Sequence, residues 1–506
     1  MKKVLFYTAI FAIIALCLQP VAQLRSSESC PEETADASAT EHDTLDSNTS
    51  GTGTTTVTDA YEPEEPASAS STTYATAYTE TTAAVQQGAL SDYYFRGSIF
   101  GANGNLLLFT EGQQRHANTD YDVAFANLLS DASAVKLDTV LGPSDYRTSK
   151  TPALLRQANP TAFYPDGYHP IGQSVMLTVD EQLQRAAYEY LELHGIKGCI
   201  VKMRGDGAIR IAASYPSFSH NAQVSGTSNA LANPRDAFNN QCFTAMQPGS
   251  VFKILSATVA VKNNMTSFDD PGIIGNWKVE NWDYATGSGQ YPVRRDIASA
   301  ISDSSNCVFA TVAYDLGANR FLSELDTLSC FSSSMSIDGV TVTQTADMRT
   351  NANLARCGYG QKVSVSPVYM TAAALGAAST GEMVQPYLVD KTYDTLLCTP
   401  LQSIGKKQVR STIPEAYTQQ LRQGMLAVSE NLGLHKDGCS VLSKTGTAAV
   451  NHSGYTDFMS IISVITNDET GESEAVMLVV QNPADFGYRY ASNFKNNMQD
   501  LIDLLM

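Results

Sequence analysis

Three apolar segments near the C-terminus decide the fold: VLSKTGTAAV at 441–450, MSIISVIT at 459–466 and EAVMLVVQN at 474–482. Each contains several β-branched residues, and polar stretches separate them, which is the pattern of three consecutive strands. The final segment, NFKNNMQDLIDLLM at 493–506, has the period of an amphipathic helix. The C-terminal part is therefore predicted to contain three strands followed by a closing helix.

Further strand and helix signals occur earlier in the chain. Three segments have strand character: SVMLTV at 174–179, GCIVKM at 198–203 and AIRIAAS at 208–214. Five segments have helical character: 121–129, 151–157, 180–195, 250–262 and 366–379. Asp180 is the predicted N-cap of the 180–195 helix, and Gly195 is its predicted stop. Strands at both ends of a domain, with helices between them, predict a mixed α/β or α+β sheet covered by helices.

The N-terminus has the pattern of a targeting segment. Lys2 and Lys3 precede an apolar run at 4–18, so residues 1–23 are expected to form an uncleaved, single-pass signal anchor. A cleaved signal peptide is the alternative. Both interpretations place the rest of the chain outside the cytoplasm.

The folded part is expected to begin after a long spacer. Residues 24–88 are rich in Ser, Thr, Ala and acidic residues, and a segment this poor in apolar residues is predicted to be disordered. Residues 89–170 predict a small N-terminal module that opens with a hairpin turning at Asn103-Gly104. Residues 171–506 are then the main domain.

The bulk composition excludes some functions. The 506 residues carry a formal net charge of -18, which argues against a nucleic-acid partner because phosphates need Lys and Arg. The nine cysteines contain no C-x-x-C pair and no Cys/His cluster with metal-ligand spacing, so no metal site is expected. They do not indicate a disulfide framework, although a single pair outside the cell stays open.

The first candidate motif is Ser250-Val-Phe-Lys253, which Pro248 and Gly249 precede. On a helix, residues i and i+3 lie on one face, so Lys253 is expected beside Ser250. Ser250 would lie at the helix N-terminus, where free N–H groups favour the negative charge of a tetrahedral oxyanion. As a lone match, this pattern is more often a helix N-cap serine with a solvated lysine.

The second candidate motif is Ser304-Ser305-Asn306, which begins 54 residues after Ser250. A hydroxyl and a carboxamide at i and i+2 can face one cleft. The hydroxyl can relay a proton, and the carboxamide can hold a peptide backbone. By itself, such a cluster more often marks a turn or a helix cap.

The third candidate motif, Lys444-Thr445-Gly446-Thr447, lies on the first of the three terminal strands. Glycine in a strand often marks the close approach of another backbone, and a substrate peptide can add along such a strand. Lys444 would supply a fixed positive charge, and the threonines would donate to a carboxylate. In a flat strand Lys444 points away from both threonines, so a shared site needs twist or a rim position. An ordinary edge-strand lysine is the alternative.

The three motifs together, with intervals of 54 and 140 residues, resemble the penicillin-binding proteins and related serine β-lactamases. Longer stretches resemble the same family: 177–187, 209–222 and 356–389. The segment 96–99, RGSI, resembles the R-G-x-I segment of class B enzymes, although Gly101 and Ala102 stand where Asp and Arg are usual. The small 89–170 module resembles the short-pedestal branch of that class.

The resemblance implies a fold and an activity. The fold is an α+β, serine β-lactamase/transpeptidase-like domain with an antiparallel sheet covered by helices. The activity is that of a peptidoglycan D,D-transpeptidase, which acts on D-Ala-D-Ala stem peptides, is inhibited by β-lactams and needs neither metal nor organic cofactor. The catalytic domain would be extracytoplasmic, with a membrane glycan polymerase as a candidate partner.

The resemblance also assigns roles to residues. Ser250 is the nucleophile and Lys253 its base, provided that burial and the charge of Lys444 lower the pKa of Lys253. Ser304 passes the proton to the leaving D-alanine. Substrate binding is assigned to four residues: Asn306, Thr445, Gly446 and Thr447. The oxyanion hole is assigned to two backbone N–H groups, those of Ser250 and Thr447.

Two alternatives stay open: a different fate of the acyl-enzyme, and a protein without catalytic activity. With water as acceptor, the chain would be a D,D-carboxypeptidase or a β-lactamase, but the anchor, the spacer and the R-G-x-I segment favour a transpeptidase. The second alternative is a non-catalytic β-lactam sensor or a scaffold. The complete set of motif residues argues against it.

Overall fold

The computed structural model describes residues 97–111, 114–140, 173–226, 235–268, 273–274, 277–278, 295–328, 335–393, 400–405, 407–448, 457–487 and 491–506. All of them belong to one compact unit, Gly88–Met506. The predicted anchor at 1–23, the spacer at 24–88 and the helix at 151–157 lie outside the described residues. Within those residues, no helix has both the length and the apolar character that a membrane crossing requires.

The strands are β1 Ile99–Phe100, β2 Leu106–Glu111, β3 Gln114–Ala117, β4 Ser174–Leu177, β5 Gly198–Arg204, β6 Ile209–Tyr215, β7 Ser267–Phe268, β8 Ile273–Ile274, β9 Trp277–Lys278, β10 Arg295–Asp296, β11 Met335–Ile337, β12 Val340–Val342, β13 Thr345–Ala346, β14 Val363–Ser364, β15 Glu382–Val384, β16 Val389–Tyr393, β17 Pro400–Ser403, β18 Val409–Thr412, β19 Cys439–Ala448, β20 Phe458–Asn467 and β21 Ser473–Gln481.

The α-helices are α1 Asp122–Leu129, α2 Leu137–Val140, α3 Glu181–Leu193, α4 His220–Val224, α5 Lys253–Lys262, α6 Ile297–Ser302, α7 Asn306–Leu316, α8 Ala318–Thr327, α9 Asn351–Gly358, α10 Pro367–Ala378, α11 Glu415–Leu432 and α12 Lys495–Leu505. Short 3₁₀ helices cover Arg235–Phe238, Gly249–Phe252, Pro483–Phe486 and Ala491–Phe494.

The central sheet joins strands from both ends of the main domain. Its order is β19-β20-β21-β5-β6, and every pairing is antiparallel. Helix α3 packs on β6, and α10 packs on β5 and β21. Because β20 and β21 are buried along almost their whole length, their sequences are nearly continuous apolar runs. The predicted strands and the closing helix are confirmed, and the fold is α+β. The mixed α/β alternative is wrong for this sheet.

Helix α3 begins and ends where the sequence predicts. The Asp180 side chain accepts hydrogen bonds from the backbone N–H groups of Gln182 and Leu183, which satisfies two donors that the first helical turn leaves free. After the helix, Gly195 has a φ of +63°, a left-handed conformation that glycine adopts without a Cβ penalty. The N-cap and the stop are both confirmed.

A second sheet joins segments on either side of the predicted module boundary. Its order is β17-β16-β4-β1-β2-β3, and Ile99 of β1 pairs with Val175 of β4 in parallel. Glu181, fully buried at the start of α3, accepts hydrogen bonds from the backbone N–H groups of Asn103 and Asn105. This carboxylate holds the predicted hairpin turn against the main domain. The boundary at 170/171 stays a prediction.

Candidate active site

Ser250 lies in a 3₁₀ turn, Gly249–Phe252, that leads into α5. The helix predicted from Ser250 therefore begins as 3₁₀ and becomes α-helical at Lys253. Gly249 has a φ of +60°, and its N–H donates to the carbonyl of Gly360 at 3.0 Å. The glycine conformation turns the chain sharply, so that Ser250 stands at the entrance of a buried helix.

The Lys253 side chain is 0% exposed and is directed at the second motif. Its Nζ donates to the carbonyl of Ser304 at 2.5 Å, to the Ser304 hydroxyl at 3.1 Å and to Oδ1 of Asn306 at 2.6 Å. An amine this deeply buried needs such acceptors, because burial without partners is costly. The first two motifs therefore meet at the Lys253 amine.

The loop that carries the second motif has an unusual backbone. Ser304 follows α6 with a φ of +57°, a conformation that costs a non-glycine residue on the order of 1–3 kcal/mol. Immediately after it, the Ser305 hydroxyl accepts from the backbone N–H of Val308 and caps α7. On the other side, Asp303 forms an ion pair with Arg295. These contacts fix the Ser304 hydroxyl and carbonyl toward Lys253.

Lys444 joins the same cluster from the edge strand β19. Its side chain is 1% exposed, and its Nζ donates to the Ser304 hydroxyl at 3.0 Å and to the carbonyl of Thr445 at 3.0 Å. Burial lowers the pKa of Lys444 to about 7, because desolvation disfavours the ammonium form. Burial therefore makes the charge of Lys444 sensitive to pH, and its assigned role as the cation of the site stays a prediction.

The β19 backbone packs tightly against the Ser250 turn. A Cβ on Gly446 would lie 2.8 Å from the carbonyl oxygen of Pro248, so only glycine fits there. A Cβ on Gly249 would lie 2.9 Å from the amide nitrogen of Thr447. The backbones on either side of this contact, at Ser250 and Thr447, are therefore neighbours, as a two-donor oxyanion hole requires.

The threonine side chains of the third motif differ from Lys444 in burial. Lys444 and Gly446 are buried, whereas Thr445 is half-buried and Thr447 is exposed, which is the alternation of a regular strand. Within the described part of the chain, no hydrogen bond joins either threonine side chain to Lys253, Ser304 or Lys444. Side-chain hydrogen bonds thus join four residues: Lys253, Ser304, Asn306 and Lys444. The backbone of Thr447 packs against Gly249.

The described residues contain no group of three or more His, Cys, Asp or Glu side chains arranged to hold a metal ion. The expectation of a site without metal or organic cofactor stays a prediction. The cluster itself presents hydroxyl, amine and amide groups.

Comparison with known families agrees with this geometry. Residues 198–499, more than half of the chain, match the family model for the penicillin binding protein transpeptidase domain. The chain belongs to this family. The prediction of a class B penicillin-binding protein is confirmed, and its short-pedestal branch stays a prediction.

Individual relatives are distant. Penicillin-binding protein 3 of Bacillus subtilis is 26% identical over 302 residues, which cover 56% of this chain and 43% of that protein. Peptidoglycan D,D-transpeptidase MrdA of Haemophilus influenzae is 32% identical over 165 residues, which cover 29% of this chain and 24% of that protein. The chain thus spans less than half the length of these two curated relatives.

The fold of a solved penicillin-binding protein is closely similar. Penicillin-binding protein A from M. tuberculosis, solved as a penicillin G acyl-enzyme complex, superposes with a TM-score of 0.66 at 20% identity. The match covers 81% of this chain and 99% of that chain. The likeness extends over nearly the whole of that structure and supports the α+β assignment.

Sequence patterns alone do not reveal three parts of this family member's site. The ion pair of Arg295 with Asp303 joins two residues whose pairing no motif predicts. Gly360, in the segment GYGQ, contacts the Ser250 turn so closely that a Cβ there would overlap the Gly249 carbonyl. The left-handed conformation of Ser304 is also invisible in the sequence, because serine normally avoids it.

Proposed function

We propose that this family member is a peptidoglycan D,D-transpeptidase that forms an acyl-enzyme at Ser250. The observation that carries the proposal is the position of the Ser304 hydroxyl, which accepts hydrogen bonds from both Lys253 and Lys444. One oxygen between two buried amines, with Lys253 three residues after a serine at a helix entrance, is suited to moving a proton between nucleophile and leaving group.

The first step is attack of the Ser250 oxygen on the carbonyl between the two terminal D-alanines of a stem peptide. The hydroxyl proton passes to Lys253, which must then be a neutral amine. A neutral amine has two N–H groups, whereas Lys253 donates to three acceptors among the described residues. In the neutral form Lys253 donates to two of these acceptors and keeps its lone pair for the Ser250 proton, while the Ser304 hydroxyl still accepts from Lys444.

The second step is collapse of the tetrahedral intermediate. The backbone N–H groups of Ser250 and Thr447 hold its oxyanion, and one such donor is worth on the order of 3 kcal/mol. The C–N bond breaks, and the leaving D-alanine receives a proton from the Ser304 hydroxyl, which Lys253 reprotonates. The amine of a neighbouring strand then attacks the acyl-enzyme and forms the cross-link.

Two groups would hold the donor peptide. Asn306 already accepts from Lys253 through Oδ1, so its amide N–H₂ group is left to donate to the peptide backbone. The terminal carboxylate would lie beside Lys444 and the hydroxyls of Thr445 and Thr447. An arriving carboxylate favours the charged form of Lys444, so binding is expected to raise the pKa of this lysine.

The cellular setting is part of the proposal. The basic and apolar N-terminus at 1–23 supports a single-pass anchor, with the catalytic domain on the outer side of the cell membrane. The sequence at 24–88 supports a flexible spacer between them. A membrane glycan polymerase would supply the strands that this enzyme cross-links.

Labelling with a fluorescent penicillin tests the nucleophile. The full-length chain is expected to form a covalent adduct, and Ser250→Ala is expected to lose it completely. Ser323→Ala, at an exposed serine on α8, is the matched control and is expected to keep full labelling. Labelling that persists in Ser250→Ala would overturn the proposed nucleophile.

A synthetic pentapeptide ending in D-Ala-D-Ala, mixed with an amine acceptor, tests the fate of the acyl group. Dimeric product is expected from a transpeptidase. Hydrolysed tetrapeptide alone would identify a D,D-carboxypeptidase, and rapid nitrocefin turnover would identify a β-lactamase. A strain that keeps its wall phenotype with Ser250→Ala would indicate a scaffold.

A further inference from the structure

The end of α9 packs closely on the helix that follows the second motif. Gly358, the last residue of α9, lies so near α7 that a Cβ there would be 2.0 Å from the carbonyl oxygen of Phe309. Helix α7 begins at Asn306, three residues before Phe309, so Gly358 lies about one helical turn from the second motif. Glycine, which has no side chain, allows the two backbones to approach this closely.

A buried side chain ties the same glycine to α5, the helix of the first motif. The Ser256 hydroxyl donates to the Gly358 carbonyl at 2.6 Å, and the Ser256 side chain is 0% exposed. Hydroxyls inside helices commonly donate to the carbonyl four residues earlier, as Thr258 does to Ile254 at 2.9 Å. By contrast, the bond from Ser256 leaves its helix and reaches a carbonyl 102 residues further along the chain.

Two residues beyond Gly358, the chain meets the turn that carries the nucleophile. The Gly249 N–H donates to the Gly360 carbonyl at 3.0 Å. Gly360 has a φ of +86°, and a Cβ there would lie 1.9 Å from the Gly249 carbonyl oxygen, so the contact joins backbone to backbone. Because Gly249 immediately precedes Ser250, a displacement of Gly360 is transmitted to the nucleophile through a single peptide unit.

Backbone pairing fixes the far end of this segment. The Met246 N–H donates to the Val365 carbonyl at 3.2 Å, and the Val365 N–H donates to the Met246 carbonyl at 2.9 Å, which forms an isolated antiparallel bridge. The next residue, Ser366, is the N-cap of α10, and α10 packs on β5 and β21 of the central sheet. Residues 358–365 therefore connect the two motif helices with the sheet.

We propose that residues 358–365 form a brace that sets the position of Ser250 for acylation, and that Ser256 is a positioning residue because its hydroxyl fixes the brace to α5. The inference rests on the proposed acyl-enzyme function. Lys253 and Ser256 are one turn apart on the same face of α5, so the base and the brace contact share a helix. The brace thus holds the Ser250 turn on one side, through Gly249, and the Lys253 helix on the other.

Ser256→Ala tests the brace by removing one hydroxyl. Alanine is the strongest helix former, so α5 is expected to keep its structure. The buried Gly358 carbonyl loses the Ser256 donor, and a buried carbonyl shifts toward another partner. A shift of about half an ångström along the brace slows acylation about tenfold, because misplacement by about 1 Å costs on the order of a hundredfold.

Stopped-flow acylation of the full-length chain by a fluorescent penicillin separates binding from chemistry. In Ser256→Ala the acylation rate constant at saturating penicillin is expected to fall about tenfold, whereas the dissociation constant of the noncovalent complex should stay within about twofold. The binding constant is expected to hold because the groups proposed to bind the β-lactam carboxylate, Lys444 among them, lie on β19 and not on α5.

Thr258→Val is the matched control. Thr258 is 2% exposed, and its hydroxyl bond stays within α5, so this variant loses a buried hydroxyl of the same helix without touching the brace. Its acylation rate constant is expected to stay within about twofold of that of the unmodified chain. Ser256→Thr, which keeps a hydroxyl, is expected to recover most of the rate. Thermal unfolding measures the stability of each variant.

The outcomes are distinguishable. An unmodified chain that never forms the penicillin adduct overturns the proposed function and the positioning role with it. A chain that forms the adduct, while Ser256→Ala acylates within threefold of Thr258→Val, overturns the positioning role alone. So does a loss in Ser256→Ala that is confined to the dissociation constant, or a folded Ser256→Thr that stays as slow as Ser256→Ala.

Discussion

Replacing Gly249 by alanine tests whether the contact between the Ser250 turn and β19 aligns the oxyanion hole. Gly249 has a φ of +60°, where an L-residue pays about 1–2 kcal/mol. The new Cβ would also lie 2.9 Å from the Thr447 amide nitrogen and closer still to the Thr447 carbonyl group, whereas ordinary contact begins at 3.4 Å. The substitution therefore adds a clash to the conformational strain.

The size of the effect follows from that overlap. To restore ordinary contact, the backbone at Thr447 must retreat by about half an ångström at its nitrogen and by more at its carbonyl. Misplacement of this order at a reacting centre costs about tenfold to a hundredfold in rate. Complete loss of one oxyanion donor costs about a hundredfold to a thousandfold. We expect Gly249→Ala to acylate about a hundredfold more slowly.

Gly433→Ala is the matched control. Gly433 follows α11 with a φ of +72°, and a Cβ there would meet no atom within 4 Å, so this variant carries the strain without the clash. The assay is the second-order rate constant for acylation by a fluorescent penicillin, with the free energy of unfolding measured beside it. If Gly249→Ala acylates within threefold of Gly433→Ala, the proposed alignment is refuted.

Two further predictions concern charge. Burial lowers the pKa of Lys444 to about 7, so its charge is present below that pH and lost above it; acylation by an anionic β-lactam should fall as pH rises through 7. Lys444→Arg should move that alkaline limb upward, because arginine stays protonated, and an unmoved limb would contradict the assignment. Arg295→Met, which removes the partner of Asp303, should slow acylation about tenfold by releasing the Ser304 loop. Arg295→Lys should restore most of the rate, and a variant that loses only stability would count against a positioning role.

The long strands are predictable from sequence because each carries a complete local signal. β5, β6 and β19–β21 are seven to ten residues long and apolar enough to show their period. The two-residue strands lack such a signal. Phe268 of β7 pairs with Arg295 of β10, and a pairing that short and that distant in sequence depends on the tertiary fold, which no local pattern records.

The chemical groups of the site are predictable, but their surroundings are only partly so. The motif residues Lys253, Ser304 and Lys444 form one cluster, as the resemblance of the three motifs to one family implies. Alternation along β19 also agrees with the burial of Lys444 and the exposure of Thr447. The burial of Lys253 and Lys444 is not predictable from local sequence. It arises when α5, the Ser304 loop and the sheet pack together.

Burial changes what Lys444 can do in the proposed reaction. A surface lysine would attract any anion at neutral pH, whereas an amine with a pKa lowered to about 7 is charged in only part of the molecules. A carboxylate that arrives beside it favours the ammonium form, so anion binding and proton uptake become one coupled event. The Ser304 hydroxyl forms hydrogen bonds with both amines, so the proton that Lys444 takes up lies one hydrogen bond from this hydroxyl. In the proposed reaction, occupation of the carboxylate site would thereby be linked to the protonation state of Lys253, Ser304 and Lys444.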